Sequence, residues 1–275
     1  MRYPFFVWFL ALLVLLFSNR ADAQDAGLPL WEAGVIGGGV TSPAYPGATE
    51  KLNLATALPY FIYRGEILRI DRSGLGARLV HSDDFEVDVG FAASLPASSK
   101  DIQARSGMDD LGTLVEFGPR AKLTLWRPTD ASRIRLELPL RAVLEFGSGV
   151  NARGTVFEPK VSLDSRDIGF GWRFSLASSL VFADERLGDY FYGVPVGSAT
   201  GSRPAYKAKA GLLSTRLTLD AAKNITPDIR VFSILRYDSY AGAANSDSPL
   251  MRQSSGISAG VVVAWIFGRS SQTAE

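Results

Sequence analysis

The chain has no cysteine, one histidine and no surplus of either charge sign, and each shortage closes off a class of function. Without cysteine there is no disulfide framework, thiol nucleophile or thiolate metal site. With 29 basic and 28 acidic residues in 275, the net charge of +1 leaves no electrostatic footprint for nucleic acid. Beyond residue 23, charges or turn residues interrupt every apolar run, so no segment reads as a membrane-spanning helix.

The first 23 residues have the layout of an export leader. Arg2 supplies a basic start, Phe5 to Phe17 form an apolar stretch too short to span a bilayer, and Ala21-Asp22-Ala23 is a small-x-small site that places cleavage between Ala23 and Gln24. No cysteine follows the site, so this is not a lipoprotein leader. Loss of Arg2, Arg20 and Asp22 leaves 27 charges of each sign, so the mature chain is neutral. The expected organisation is a signal peptide, 1–23, followed by one domain, 24–275.

Period-two alternation dominates that domain. In Arg133 to Phe146 one parity reads Ile134, Leu136, Leu138, Leu140, Ala142, Leu144, Phe146, and the other Arg133, Arg135, Glu137, Pro139, Arg141, Val143, Glu145. A helix would scatter these apolar residues around all sides. The run also exceeds the five or so residues common in soluble strands and suits a tilted membrane-spanning strand. Pro139 removes a ladder hydrogen bond, so a bulge or kink is expected there. From Ala205 to Leu219 the apolar parity switches, and one inserted residue near Gly211 would restore it.

Turn signals delimit about twelve strands, near 31–42, 52–63, 66–71, 74–81, 85–94, 112–126, 132–146, 154–164, 168–183, 204–219, 228–238 and 256–267. An even number suits a closed barrel. With the N-terminus in the periplasm, the short turns fall on the periplasmic side and the long connections, 94–111, 184–203 and 239–255, fall outside, as outer-membrane barrels arrange them, the tight outer turn Arg72-Ser73-Gly74 being the exception. The fold class expected is all-β: an antiparallel transmembrane β-barrel with long extracellular loops, in contact with outer-membrane lipid of a Gram-negative bacterium. In the last strand Gly260, Val263, Trp265 and Phe267 have the spacing of a C-terminal barrel assembly signal ending in an aromatic anchor, although eight residues follow.

Chemistry-bearing groups are sparse. His81, Ser82, Asp83 and Asp84 are consecutive, so their side chains are better suited to a turn than to a triad. Asp109 and Asp110 read as solvated or capping, and Gly37-Gly38-Gly39 lacks the helix and lysine of a phosphate loop. No catalytic, metal or cofactor residue is assigned. The candidate site is the lumen-facing charged parity: Glu86, Asp88, Glu116, Lys122, Arg133, Arg135, Glu137, Arg141, Glu145, Glu158, Lys160, Arg173, Arg230 and Arg236. Both signs recur on the same strand, which fits a self-neutralising filling of ion pairs, with a narrow aqueous pore as the alternative.

Several short segments resemble a known family. Trp31 to Gly39 is followed by Pro43-Ala44-Tyr45-Pro46-Gly47 and Leu58-Pro59-Tyr60-Phe61-Ile62-Tyr63-Arg64-Gly65. Further on come Glu116-Phe117-Gly118-Pro119, Tyr190-Phe191-Tyr192-Gly193-Val194, Arg203-Pro204-Ala205-Tyr206 with Ala210-Gly211-Leu212, and Asp247-Ser248-Pro249-Leu250. In this order, across the mature chain, they resemble the MipA/OmpV family. The resemblance implies an outer-membrane, non-enzymatic protein. Its expected role is a scaffold joining a lytic transglycosylase to a penicillin-binding protein, or a surface protein acting in adhesion or osmotic adaptation.

Overall fold

The computed structural model describes residues 28–64, 68–71, 74–147, 149–166 and 169–273, with backbone alone over 68–71 and 74–81. The leader and its Ala23–Gln24 junction lie outside the described residues. Thirteen strand segments follow one another: β1 (Trp31–Pro43), β2 (Lys51–Arg64), β3 (Leu68–Asp71), β4 (Gly74–His81), β5 (Phe85–Ser94), β6 (Thr113–Thr129), β7 (Ser132–Phe146), β8 (Val150–Phe157), β9 (Lys160–Ser165), β10 (Trp172–Ala183), β11 (Gly211–Asn224), β12 (Ile229–Ser239) and β13 (Ser255–Arg269). Among the described residues an α-helix, α1 (Glu185–Tyr192), interrupts the order in the connection after β10.

Pairing closes these segments into a ring. Each is antiparallel to its neighbours, β1 pairs with β13 from Glu32↔Arg269 to Thr41↔Ala259, and β10 pairs with β11. β8 and β9 both lie between β7 and β10 in an unbroken register, with Leu140↔Phe157 and Glu137↔Lys160 on one side and Phe182↔Phe157 and Ser179↔Lys160 on the other. They are two halves of one stave, parted at Glu158-Pro159. The barrel therefore has twelve staves among the described residues, and its thinnest seam lies between β2 and β3, where only Tyr63↔Ile70 and Arg64↔Arg69 are paired.

Alternation decides what each stave buries. Phe61, Leu140, Leu235, Val261, Trp265 and Phe267 point outward, each half or more exposed. A continuous apolar belt of that extent belongs against lipid rather than water. The opposite parity, from Glu32 and Ile36 on β1 to Ala264 and Ile266 on β13, is buried inside. Connections at the outer end are long, as expected, apart from Gly147–Gly149 and the turn after β3.

Two local expectations need correction, and one connection holds an element of its own. Pro139 causes neither bulge nor register shift, since Arg120↔Pro139 and Phe117↔Ala142 keep one register. The adjoining stave breaks at Glu158-Pro159 instead, and the Pro139 carbonyl accepts a hydrogen bond from the Glu158 N–H at 3.2 Å. Residues 205–210 are not strand. They are part of the outer loop, and β11 starts only at Gly211. A bulge does follow: Val181 pairs with Ser214 and Phe182 with Leu212, which turns Leu213 inward. Finally, the connection after β10 contains α1, capped by the Asp184 carboxylate, which accepts a hydrogen bond from the Leu187 N–H at 2.9 Å.

Glycines let β1 approach β13 closely. A Cβ at Gly34 or Gly38 would lie 2.1 or 2.2 Å from the carbonyl oxygen of Trp265 or Val261. This explains the small-residue run better than any ligand-binding role. Gly38→Val should therefore destabilise the closure by about 1–3 kcal/mol, read as a lower urea midpoint of the heat-modifiable gel band.

Candidate functional site

The interior has two unlike walls. Along β1, β2, β12 and β13 it is apolar, with Ile36, Leu58, Tyr60, Ile62, Phe232, Ala264 and Ile266 packed together. Along β5 to β11 it is charged, because inward positions there carry acids and bases at matching registers.

On that charged wall Arg120 donates two hydrogen bonds to Asp88, at 2.9 and 2.7 Å. Lys122 sits 2.8 Å from Glu86 and 2.9 Å from Asp88. Glu137, 1% exposed, lies among Lys160 at 3.1 Å, Arg135 at 3.6 Å and Arg120 at 4.0 Å. Asp164 takes Arg135 at 2.7 Å, with Arg133 at 3.7 Å, and accepts a hydrogen bond from the Ser175 hydroxyl at 2.6 Å. Nearer the outer end, Arg141 bridges Glu116 at 2.8 Å and Glu158 at 2.7 Å, while Arg216 bridges Glu158 at 3.0 Å and Asp238 at 2.7 Å. At the rim Glu145 accepts from Arg153, the Tyr190 hydroxyl and the Gly112 N–H. Buried charges are tolerable in such a chain because each is met by an opposite one.

A separate cluster holds the periplasmic end. Glu32, 1% exposed, accepts from Arg64 at 2.9 Å and from Arg230 at 2.6 and 2.7 Å, with the Arg269 Nε at 3.9 Å. One carboxylate thus ties β1, β2, β12 and β13 together.

Most candidate lumen residues are brought into these networks, with two placed differently. Arg173 is half-buried near the periplasmic turn, its guanidinium 3.4 Å from the Asn224 side-chain oxygen. Arg236 faces the lumen, in register between Thr218 of β11 and Ser258 of β13. No hydrogen bond or ion pair reaches it among the described residues, and its Nε is buried without a partner. Sequence reasoning missed Glu32, Arg64, Arg120, Asp164, Arg216 and Asp238. Their inward parity was available as a signal. Glu32 alone among apolar neighbours hid its role, and the false strand start at 204 obscured Arg216.

The long loops form the third part of the site. Tyr45 and Ala48 from the β1–β2 loop, Ile102 and Leu111 from β5–β6, Leu187, Tyr192, Val194 and Ala208 from β10–β11, and Leu250 from β12–β13 make one apolar core over the outer mouth. It rests on the inward tops of the staves at Leu114, Val143, Val156, Val181 and Leu213. The Tyr45 hydroxyl donates to the Leu250 carbonyl at 2.6 Å, and the Ser248 hydroxyl to the Tyr192 carbonyl at 2.8 Å. The Tyr206 hydroxyl donates to Asp247 at 2.6 Å, and Arg203 donates to the carbonyls of Ala104 and Ser106. Four of the short segments that carry the family resemblance, around Tyr45, Tyr192, Tyr206 and Leu250, therefore meet in this cap.

The side chain of His81 lies outside the described residues, and the other sequence motifs take part in local hydrogen bonds. Ser82 closes a turn on Phe85, and Asp110 accepts hydrogen bonds from the Ser99 N–H and the Ser98 hydroxyl. Among the described residues no group of three or more His, Asp or Glu is placed to hold a metal ion. In β13, Val263, Trp265 and Phe267 face outward and Gly260 inward. The Trp265 and Phe267 rings meet edge-on at 5.7 Å.

A family described as "MltA-interacting protein MipA" matches residues 35–267. No curated protein matches. Among solved structures, the chain is similar to the translocator domain of the autotransporter NalP from Neisseria meningitidis, at 12% identity over 93% of each chain with a TM-score of 0.49. It is also similar to the NanC porin, at 12% identity over 84% of this chain and 98% of that one, TM-score 0.40. The outer membrane phospholipase A from Escherichia coli is matched at 9% identity over 85% and 92%, TM-score 0.33.

Two predictions follow from the clusters. Glu32→Gln removes the carboxylate shared by Arg64 and Arg230 and should destabilise the barrel by roughly 3–5 kcal/mol, measured by urea unfolding in lipid vesicles. In the cap and at Tyr240, the buried residue directly after β12, burial raises the hydroxyl pKa values of Tyr45, Tyr206 and Tyr240 to about 12, and for Tyr206 the bond to Asp247 adds to the effect. A raised tyrosine favours the neutral form in the fold, so its contribution is complete below pH about 10 and is lost as pH climbs through about 12. Absorbance titration of tyrosinate should show these three ionising near pH 12, together with loosening of the cap.

Proposed function

Because this chain belongs to the MltA-interacting protein MipA family, we propose that it works as a non-enzymatic scaffold, an outer-membrane barrel that gathers murein enzymes at the cell wall. The observation that carries this reading is the closed interior. Paired charges fill one wall of the lumen, and the apolar core of four loops covers its outer mouth. A barrel lined and capped in this way can act through its surfaces. The family description supports a lytic transglycosylase as the partner, and a penicillin-binding protein would complete a pair that cuts and rebuilds murein.

The protein would reach the outer membrane with residues 1–23 removed and 24–275 folded as one domain. Its last strand, through Gly260, Val263, Trp265 and Phe267, would guide assembly. Short periplasmic turns offer little area, but one presents a feature suited to docking. Phe170 is 93% exposed and has φ of 57° between Gly169 and Gly171, which also have positive φ. Such a backbone is costly for a side chain of this kind.

A photo-crosslinking residue at Phe170 should capture a lytic transglycosylase in cells, and the purified barrel should give no steady conductance in planar bilayers. The second reading is a narrow small-solute channel, favoured by an interior chamber of about 300 Å³ between the charged wall and the cap. A reproducible conductance that bulky substitutions at Arg135 or Arg141 abolish would replace the scaffold with that channel.

A further inference from the structure

Arg236 is the exception in an interior where guanidinium groups are otherwise committed. Of the arginines lining the chamber, Arg120 is held by Asp88, Arg141 by Glu116 and Glu158, and Arg216 by Glu158 and Asp238. No described carboxylate lies at ion-pair distance from Arg236, and its Nε is buried without a partner. A guanidinium cannot shed its charge, and a buried polar group without a partner is costly.

The space beside it is of two kinds. Arg236 and Ser258 line both the polar chamber and a second bay of about 180 Å³ in the apolar wall. Ile36, Val40, Leu54, Leu58, Ile234 and Val262 line that bay. Its volume is somewhat above the roughly 150 Å³ of an apolar cavity that takes up benzene. Thr218 and Ser258, in register on either side of Arg236, add hydroxyl donors at the same level.

We propose that this part of the lumen is a binding site for a small monocarboxylate with a compact apolar body. The carboxylate takes the planar fork of Arg236, flanked by Thr218 and Ser258, and the apolar body fills the bay over Leu54 and Ile234. A guanidinium matches a carboxylate in two parallel hydrogen bonds, and beyond Arg236 the described lining of the bay carries no cationic side chain to meet a second carboxylate. The proposal is independent of whether the barrel recruits murein enzymes.

Benzoate is the probe, titrated calorimetrically into the full barrel refolded in dodecyl maltoside, with empty micelles as the blank and folding checked by heat-modifiable mobility. One saturable site is expected. Arg236→Gln should weaken it about tenfold, the loss of one charged hydrogen-bonded pair. Leu54→Trp, which fills the bay and leaves the charge in place, should also weaken it about tenfold. Acetate, lacking the apolar body, and benzyl alcohol, lacking the charge, should each bind about tenfold less tightly than benzoate. Absence of saturable binding to the folded wild type overturns the site. So does benzoate affinity unchanged in both folded variants, or benzyl alcohol binding as well as benzoate.

Discussion

Every backbone N–H and C=O within hydrocarbon must find its partner inside the protein, and for a chain of strands only a closed ring achieves this. The pairing of β1 with β13 is therefore the contact on which the rest depends. It fixes twelve staves and divides each strand into a lipid parity and a lumen parity. Gly34 and Gly38 permit the close approach of the two backbones there, and Glu32 holds the same seam through Arg64 and Arg230.

Closure creates an interior that the sequence lines in two ways. On the apolar wall, packing of Ile36, Ile62 and Ile266 does what any core does. On the charged wall, desolvation makes each ion costly until an opposite one meets it, so carboxylates and guanidiniums interlock along β5 to β11. Glu137 among three cations and Glu158 between two arginines are nodes of that mesh. The outer loops finish the closure by exchanging water for one another, and α1 brings Leu187 and Tyr192 to their shared core.

Much of this architecture was legible because the membrane imposes a simple rule on each strand. The alternation from Arg133 to Phe146 revealed both faces of β7, and Trp265 and Phe267 marked an outward edge. The rule fails where the chain leaves the barrel. Tyr206, Ala208 and Ala210 alternate like strand residues, yet Tyr206 bonds Asp247 and Ala208 packs in the cap. Loop alternation carries no information about a sheet. Pro139 misled for a related reason, since the missing hydrogen bond was accommodated in the neighbouring stave, at Glu158-Pro159, rather than in its own.

The sequence by itself determined the parity of each strand, the sorting of short and long connections, and so the barrel and its orientation, because these follow from local periodicity against lipid. It also placed charges on the lumen side. Which charge meets which was decided only by ring closure. Glu32 reaches Arg230 across 198 residues, and the loop segments around Tyr45, Tyr192 and Leu250 meet over the mouth, because lateral neighbours in a barrel are set by register and curvature. The same closure left Arg236 between Thr218 and Ser258 with no carboxylate in reach, although its own strand looks like any other alternating one.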